Sequence, residues 1–205
     1  MKYRGGAGAR NWAYDFAATT ARADGGRPRS PARVEIRYPR GIRFNGLLFR
    51  ACPEARRARC PPATRVGKGT ATFDGRPDAA AAVPATVDVF NGGRTAGKPS
   101  LVYVFHPEGY NIGLTFTGVF VRNEPSGPFG HVKVIDISGF GPNPPLTLTA
   151  LNLRMTARLS PARNRRRMRP LFEMTAPCTE PWTTEWRNVY PDGSSLAATA
   201  TTPCP

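Results

Sequence analysis

The chain has 205 residues, of which 40% are hydrophobic, and it carries a formal net charge of +15. Its length and apolar content fit one globular domain, and its 21 glycines and 22 prolines argue against a helix bundle. The sequence has no apolar run of about 18 residues and therefore predicts no membrane-spanning helix.

The N-terminal end differs in composition from the rest of the chain. Residues 1–10 are rich in glycine and are expected to form a flexible segment, whereas residues 11–205 are expected to form a single domain. No apolar stretch typical of a signal peptide follows Met1. An exported form of this chain is therefore expected to be a mature fragment or to start upstream.

Alternation of apolar and polar residues predicts short strands along the first two thirds of the domain. Residues 11–20 and 34–38 have this pattern, and residues 53–59 form the one helix candidate. Further strands are predicted at residues 70–73, 83–90, 101–105, 112–121 and 131–137. The Asn-Gly-Gly sequence at 91–93 predicts a turn after one of them.

The C-terminal third contains the longest strand pattern and the clearest hairpin. The apolar face of residues 145–159 slips by one position near Thr149 and Ala150, which predicts a β-bulge. Asp192-Gly193 separates two strand-like runs at 182–190 and 195–202, as in a hairpin. About ten short strands, with at most one short helix, predict an antiparallel β-sandwich of the jelly-roll type.

The four cysteines fall into two local pairs, Cys52 with Cys60 and Cys178 with Cys204. The chain has no C-x-x-C motif and only two histidines, so few metal ligands are present and no metal or other cofactor is predicted. An even number of cysteines with near neighbours favours two disulfides in an oxidising compartment, outside the cell or in its envelope. Pairing within each local pair is expected, although two other pairings are conceivable.

Three aromatic residues near the C-terminus are spaced four apart along one predicted strand. Trp182, Trp186 and Tyr190 would therefore point to the same face of a sheet. On a solvated face they would form a platform on which sugar rings could stack. On the buried face they would belong to the core, and the polar residues between them favour this alternative.

A cluster of arginines occupies residues 160–170. Its members are Arg163, Arg165, Arg166, Arg167 and Arg169. Arginine can bind phosphate or carboxylate with two hydrogen bonds, so the cluster is a candidate contact for an anionic cell-envelope polymer or glycan. The alternative is a solvated loop whose charge reflects a GC-rich genome. Aromatic residues do not alternate with these arginines, so no nucleic-acid partner is expected.

No motif for catalysis is present. The G-x-S-x-G, H-E-x-x-H and phosphate-binding loop patterns are absent, and only 14 acidic residues are available. His106 and His131 have no recognisable nucleophile or acid partner in the sequence. No catalytic residue is therefore predicted, and the chain is not expected to be an enzyme.

Three stretches resemble a group of secreted, disulfide-bonded β-sandwich proteins of unknown function from actinobacteria. They are R-V-E-I-R-Y-P-R-G-I-R-F-N at 33–45, C-P-P-A-T-R-V-G-K-G-T-A-T at 60–72, and the run from Cys178 through W-T-T-E-W and Y-P-D-G-S to A-T-T-P-C. The resemblance covers the chain from about Trp12 onward. It implies export and a disulfide-bonded β-domain, and it brings no catalytic residue.

These patterns together predict a secreted or wall-associated β-sandwich module without catalysis, with a surface structural or adhesive role. A carbohydrate- or polyanion-binding module is the alternative, and a hydrolase is the third candidate. The aromatic residues 182, 186 and 190 and the arginine cluster are the candidate ligand-binding residues.

Overall fold

Strands supply almost all regular structure in this chain. The computed structural model describes residues 2–4, 13–111, 113–122, 128–140, 144–156, 158–159, 169–175 and 179–203. Within these ranges there are β-strands and short 3₁₀ turns and no α-helix. The predicted all-β class is confirmed. The predicted helix candidate is a 3₁₀ segment, Glu54–Arg59, and three shorter 3₁₀ turns occur elsewhere in the described ranges.

Fifteen strands are described. They are β1 (Lys2–Arg4), β2 (Ala13–Thr19), β3 (Arg33–Pro39), β4 (Ile42–Phe44), β5 (Arg65–Asp74), β6 (Val83–Thr95), β7 (Lys98–Pro107), β8 (Leu114–Arg122), β9 (Phe129–Asp136), β10 (Thr147–Met155), β11 (Arg158–Leu159), β12 (Arg169–Pro170), β13 (Phe172–Met174), β14 (Trp182–Val189) and β15 (Ser195–Thr202).

Eleven of these strands form one antiparallel sheet in the order β1-β2-β10-β5-β6-β7-β8-β9-β3-β14-β15. Strands β5 to β9 are neighbours both in the chain and in the sheet. Strands β10 and β3 extend this meander on either side, because β10 pairs with β5 and β2 while β3 pairs with β9 and β14. Two small sheets, β11-β12 and β4-β13, complete the described topology.

The large sheet curls until strands near its opposite ends touch through their side chains. Phe16 on β2 stacks on Trp186 of β14, with ring centroids 5.2 Å apart. Tyr14 on β2 and Tyr38 on β3 have ring centroids 5.7 Å apart. Sheets twist with a fixed hand, so a sheet of this width coils round on itself. The result is a half-barrel with one concave, buried face, and the predicted two-sheet sandwich is not confirmed.

Strand β10 shows how the sequence pattern places one face inside. Leu151, Leu153 and Met155 are buried on the concave face, whereas Asn152 and Arg154 are exposed. The register between β10 and β5 shifts between Leu148 and Ala150, which confirms the predicted bulge. Such a bulge increases the local twist and helps the sheet to curl.

Strand β7 is buried on both faces along most of its length, whereas β6 exposes Pro84 and Thr86 on its convex side. The strand predicted at residues 101–105 is confirmed as part of β7, and all five of its side chains are buried. Val102 and Val104 face outward from the half-barrel and pack against Cys52, which a disulfide joins to Cys60. The segment that carries this predicted disulfide therefore covers part of the convex face.

The turn predicted at Asn91-Gly92-Gly93 is wrong. These residues lie inside β6, where the register with β7 shifts between Asn91 and Gly93. The chain instead reverses at Ala96-Gly97, where φ is 48° and 77°. Asn-Gly-Gly supports a bulge as well as a turn, since glycine relieves steric limits in both.

One end of the half-barrel is closed by aromatic rings. The small sheet β4-β13 contributes Phe44 and Phe172, which pack against Tyr14, Tyr38 and Phe120 of the large sheet. Phe44 and Phe120 stack with centroids 4.0 Å apart, and Phe172 lies 5.0 Å from Tyr14. These five rings, the aromatic plug, lie at one end of the concave face, and a cavity lies on the same face.

Candidate ligand-binding cavity

A cavity of about 110 Å³ lies on the concave face. Most of its walls are apolar side chains that alternate inward along strands β2, β3, β5, β7, β8 and β10. Representative wall residues are Phe16, Ile36, Phe73, Phe105, Phe116 and Leu151. The cavity is therefore a consequence of the curl of the sheet, because in a flat sheet these side chains would not surround a shared space.

The connecting segments at one end of the half-barrel line the cavity as well. Ser30 and Pro31 precede β3, Tyr110 lies between β7 and β8, and Pro144 and Pro145 precede β10. The register of the sheet brings these strand ends to the same side, away from the aromatic plug. This ring of segments forms the mouth of the cavity.

A lysine belongs to the inner wall. Lys133 lies on β9 opposite Phe120 of β8 and Ile36 of β3, and its side chain is only 1% exposed. Its Nζ donates a hydrogen bond of 2.6 Å to the hydroxyl oxygen of Tyr103, which lies on β7. Strand β8 separates β9 from β7, so the lysine side chain reaches across a whole strand.

Gly118 makes this crossing possible. It lies on β8 between the two partners, opposite Leu101 of β7 and Ile135 of β9. A Cβ atom at this position would be 3.1 Å from Cδ of Lys133 and 3.2 Å from its Cγ. The aliphatic part of the lysine therefore lies over the space that any other residue would fill.

Aromatic rings surround the amine. The Nζ atom of Lys133 lies 5.1 Å from the ring centroid of Tyr103, 5.5 Å from that of Tyr38 and 6.0 Å from that of Phe120. Ring faces at such distances attract a cation. No carboxylate of the described residues lies within salt-bridge distance of this amine. The rings and the hydroxyl oxygen of Tyr103 therefore stabilise the amine when it is charged.

Burial changes the protonation of both polar groups. Loss of water lowers the pKa of Lys133 from 10.5 to about 7. The same effect raises the pKa of Tyr103 well above its usual value, so its phenol keeps its proton. Near neutral pH, a substantial fraction of Lys133 is thus an uncharged amine beside a protonated hydroxyl group.

The predicted aromatic ladder lies mainly on the concave side. Trp182 is buried, and Trp186 is half-buried, stacks on Phe16 and lines the cavity. Tyr190 follows the end of β14, and the guanidinium carbon of Arg29 lies 4.4 Å from its ring centroid. The two tryptophans thus form part of the interior rather than a solvated platform. Ligand binding by these three residues stays a prediction, now directed at the cavity through Trp186.

Most of the other candidate residues lie outside the described residues. This holds for Arg163, Arg165, Arg166 and Arg167 and for Cys178 and Cys204. Arg169 belongs to β12, which pairs with β11. The second disulfide and the arginine cluster stay predictions.

The histidines occupy different faces of the sheet. His106 is exposed, with its Nε2 3.9 Å from a carboxylate oxygen of Asp88. His131 lies two residues before Lys133 and so on the same strand face, and burial and Arg122 lower its pKa. Within the described ranges, no group of three or more His, Cys, Asp or Glu side chains could hold a metal ion. The same part of the chain contains no helix long and apolar enough to cross a membrane.

Sequence reasoning assigned the strand that holds Lys133 but missed its role. The signal was partial, because Lys133 alternates in phase with the apolar Ile135 and Ile137, while Val132 and Val134 on the other face are apolar too. A lysine on the apolar face of a strand is unusual enough to mark a site. The contact between Lys133 and Tyr103 could be predicted only from the order of the strands in the sheet, which the sequence did not reveal.

Comparison of this chain with family models, with curated proteins and with solved structures found no match.

Proposed function

We propose that this protein is a non-catalytic module that binds an apolar small molecule inside its curled sheet. The observation that supports the proposal is the apolar cavity whose wall carries the hydrogen-bonded pair Lys133 and Tyr103. Binding sites for small molecules are typically concave and mainly apolar, with a few well-placed polar groups that orient the ligand. The cavity has each of these properties.

The pair also indicates the chemistry of the ligand. Lys133 and Tyr103 offer N–H and O–H donors within walls that are otherwise mostly apolar. A hydrocarbon body with one oxygen-bearing end group would satisfy both parts of the site. A sugar or a polyphosphate would leave many polar groups unpaired against the walls, which is costly.

The cellular setting completes the proposal. The disulfide between Cys52 and Cys60 supports an oxidising compartment, outside the cell or in its envelope. We also propose that this chain belongs to the actinobacterial group of secreted proteins that its sequence resembles. The surface structural or adhesive role stays a prediction, as do the binding of anionic polymer or glycan by the arginine cluster and a hydrolase activity.

Replacement of Ala18 tests the cavity directly. Ala18 lines the cavity on β2, and its neighbour Ala17 is exposed on the opposite face of that strand. Ala18→Phe should occupy cavity space and weaken binding of the neutral fluorescent probe N-phenylnaphthylamine by about tenfold, equivalent to about 1.4 kcal/mol. Ala17→Phe, the matched control, should bind the probe as the parent does.

Thermal unfolding of both variants, followed by circular dichroism, checks that each is folded. Equal probe affinity in the parent and in a folded Ala18→Phe protein would contradict binding in the cavity. Absence of probe binding by the parent would contradict the proposed function as a whole.

A further inference from the structure

We propose that Lys133 captures an apolar aldehyde inside the cavity as an imine, an inference that rests on the proposed function and specifies its ligand. The other lysines whose side chains are described, Lys68 and Lys98, are exposed on the surface. Among the described lysines, only Lys133 lines an apolar cavity and donates a hydrogen bond to a hydroxyl group there.

The surroundings of the Lys133 amine favour its neutral, nucleophilic form over the charged ammonium form. Burial without a carboxylate partner destabilises the ammonium form, as the lowered pKa of Lys133 reflects. A deprotonated amine has the free electron pair that attack on a carbonyl carbon requires, and desolvated lysines form imines with carbonyl compounds for this reason. A carboxylate ligand would need the ammonium form instead.

The reaction needs no group beyond those present and the aldehyde. The Nζ electron pair forms a bond to the carbonyl carbon, the carbonyl π electrons move to oxygen, and one proton passes from nitrogen to that oxygen. The resulting carbinolamine loses its hydroxyl group together with the second nitrogen proton as water, and the C=N bond forms. One amine and one aldehyde thus give one imine and one water, without oxidation or reduction.

Tyr103 is positioned to assist these proton transfers. Its hydroxyl oxygen lies 2.6 Å from Nζ, so it can accept a proton from the attacking nitrogen as it donates its own to the departing oxygen. The rings of Tyr38 and Phe120 face the same nitrogen and would stabilise a protonated imine through their π-systems. The apolar walls limit the access of water that would hydrolyse the product.

Reductive trapping of the oxidised full-length protein tests the inference. The protein is incubated with decanal and sodium cyanoborohydride near neutral pH, and the adducts are located by peptide mass spectrometry. Among the lysines, we expect one dominant adduct at Lys133, formed about tenfold faster than adducts at Lys68 or Lys98, because neutral amine is far more abundant at a lowered pKa. These exposed lysines serve as controls within the same molecule.

Two variants separate chemistry from folding. Lys133→Met should abolish the dominant adduct, and Tyr103→Phe should keep it but slow its formation, since the phenol acts on proton transfer only. The comparison among lysines in the parent stands even where a variant fails to fold. Equal labelling of all lysines, or labelling of the exposed ones alone, would overturn the inference.

Competition against N-phenylnaphthylamine distinguishes this inference from the proposed function. Displacement by decanal and decanol, with an adduct from decanal, supports both. Displacement without any adduct leaves the apolar binding function intact and overturns the imine. Displacement by decanoate in clear preference to decanal overturns it in favour of an anionic ligand.

Discussion

At the scale of single residues, a missing side chain determines where the amine of Lys133 lies. Gly118 provides the gap on β8 over which the lysine reaches Tyr103. A glycine in a strand is usually a weak point, because it has no side chain to pack. Here the stem of Lys133 fills that gap, so the glycine and the lysine act as one packing unit.

Gly118→Ala should therefore disturb the packing of Lys133 and of the wall residue Ile135, whose Cγ1 would lie 3.2 Å from the new Cβ. The new Cβ would lie 3.1 Å from Cδ of Lys133, so the lysine stem must give way by a few tenths of an ångström, and we expect this to disturb its hydrogen bond to Tyr103. Overpacking of this kind should lower the free energy of unfolding by about 1–3 kcal/mol in urea titrations, and adduct formation should slow. Gly113→Ala is the control, because its Cβ would meet atoms only at 3.7 Å or more. Equal stability of the two variants would mean that Lys133 does not cross Gly118.

The buried amine should also give a distinct pH dependence of stability. The pKa of Lys133 falls from 10.5 to about 7 on folding, so the unfolded chain binds more protons between these values. Stability relative to Lys133→Met should therefore rise with pH from about 7 to about 10, by up to about 1.4 kcal/mol per pH unit.

The Lys133→Met variant is the reference for the parent protein, because all other titratable groups are present in both proteins. The titratable groups near the amine are Tyr103, Tyr38 and, two residues away on the same strand face, His131. Tyr103 keeps its proton because its pKa is raised, whereas burial and Arg122 lower the pKa of His131. Urea titrations of both proteins across this range measure the difference. A difference that does not change with pH would show that the amine is solvated.

At the scale of elements, local patterns predicted most strands, and context decided the exceptions. The hairpin of β14 and β15 is confirmed, with Gly193 at φ 81° in the predicted turn. The prediction of a turn at Asn91 was wrong because the side chain of this residue makes tertiary hydrogen bonds. Asn91 is fully buried and donates hydrogen bonds to the carbonyl oxygens of Gly46 and Phe49. No local pattern reports such a contact, since its partners lie more than forty residues away.

Asn91→Ala should destabilise the segment that carries the disulfide. Its carbonyl partners would lose their donors, which costs about 1–3 kcal/mol when the groups stay buried. Hydrogen exchange should increase first in residues 46–52, whose Cys52 amide also bonds to the Asn91 carbonyl. Asn152→Ala removes an exposed amide from β10 and should be nearly neutral. Equal losses in the two variants would contradict this role for Asn91.

At the scale of the whole molecule, the order of the strands separates what the sequence predicts from what it does not. Alternation and turns identify strands one at a time and fix which face is apolar. They do not state that β10 pairs with β2 as well as β5, or that β3 lies between β9 and β14. That order makes one curled sheet instead of two facing ones, and it brings Lys133, Tyr103 and Trp186 into one cavity. The candidate site could therefore not be assembled from local patterns.

The contact between Phe16 and Trp186 has a kinetic consequence. In the described structure, β2 and β14, each next to an edge strand of the curled sheet, meet there through stacked rings and not through a ladder of backbone hydrogen bonds. Separating β2 from β14 at this contact would break dispersion contacts, which are individually weak, and would leave the backbone hydrogen bonds within the sheet intact. We therefore expect the proposed ligand to exchange through local separation of β2 and β14, on a timescale far shorter than that of global unfolding.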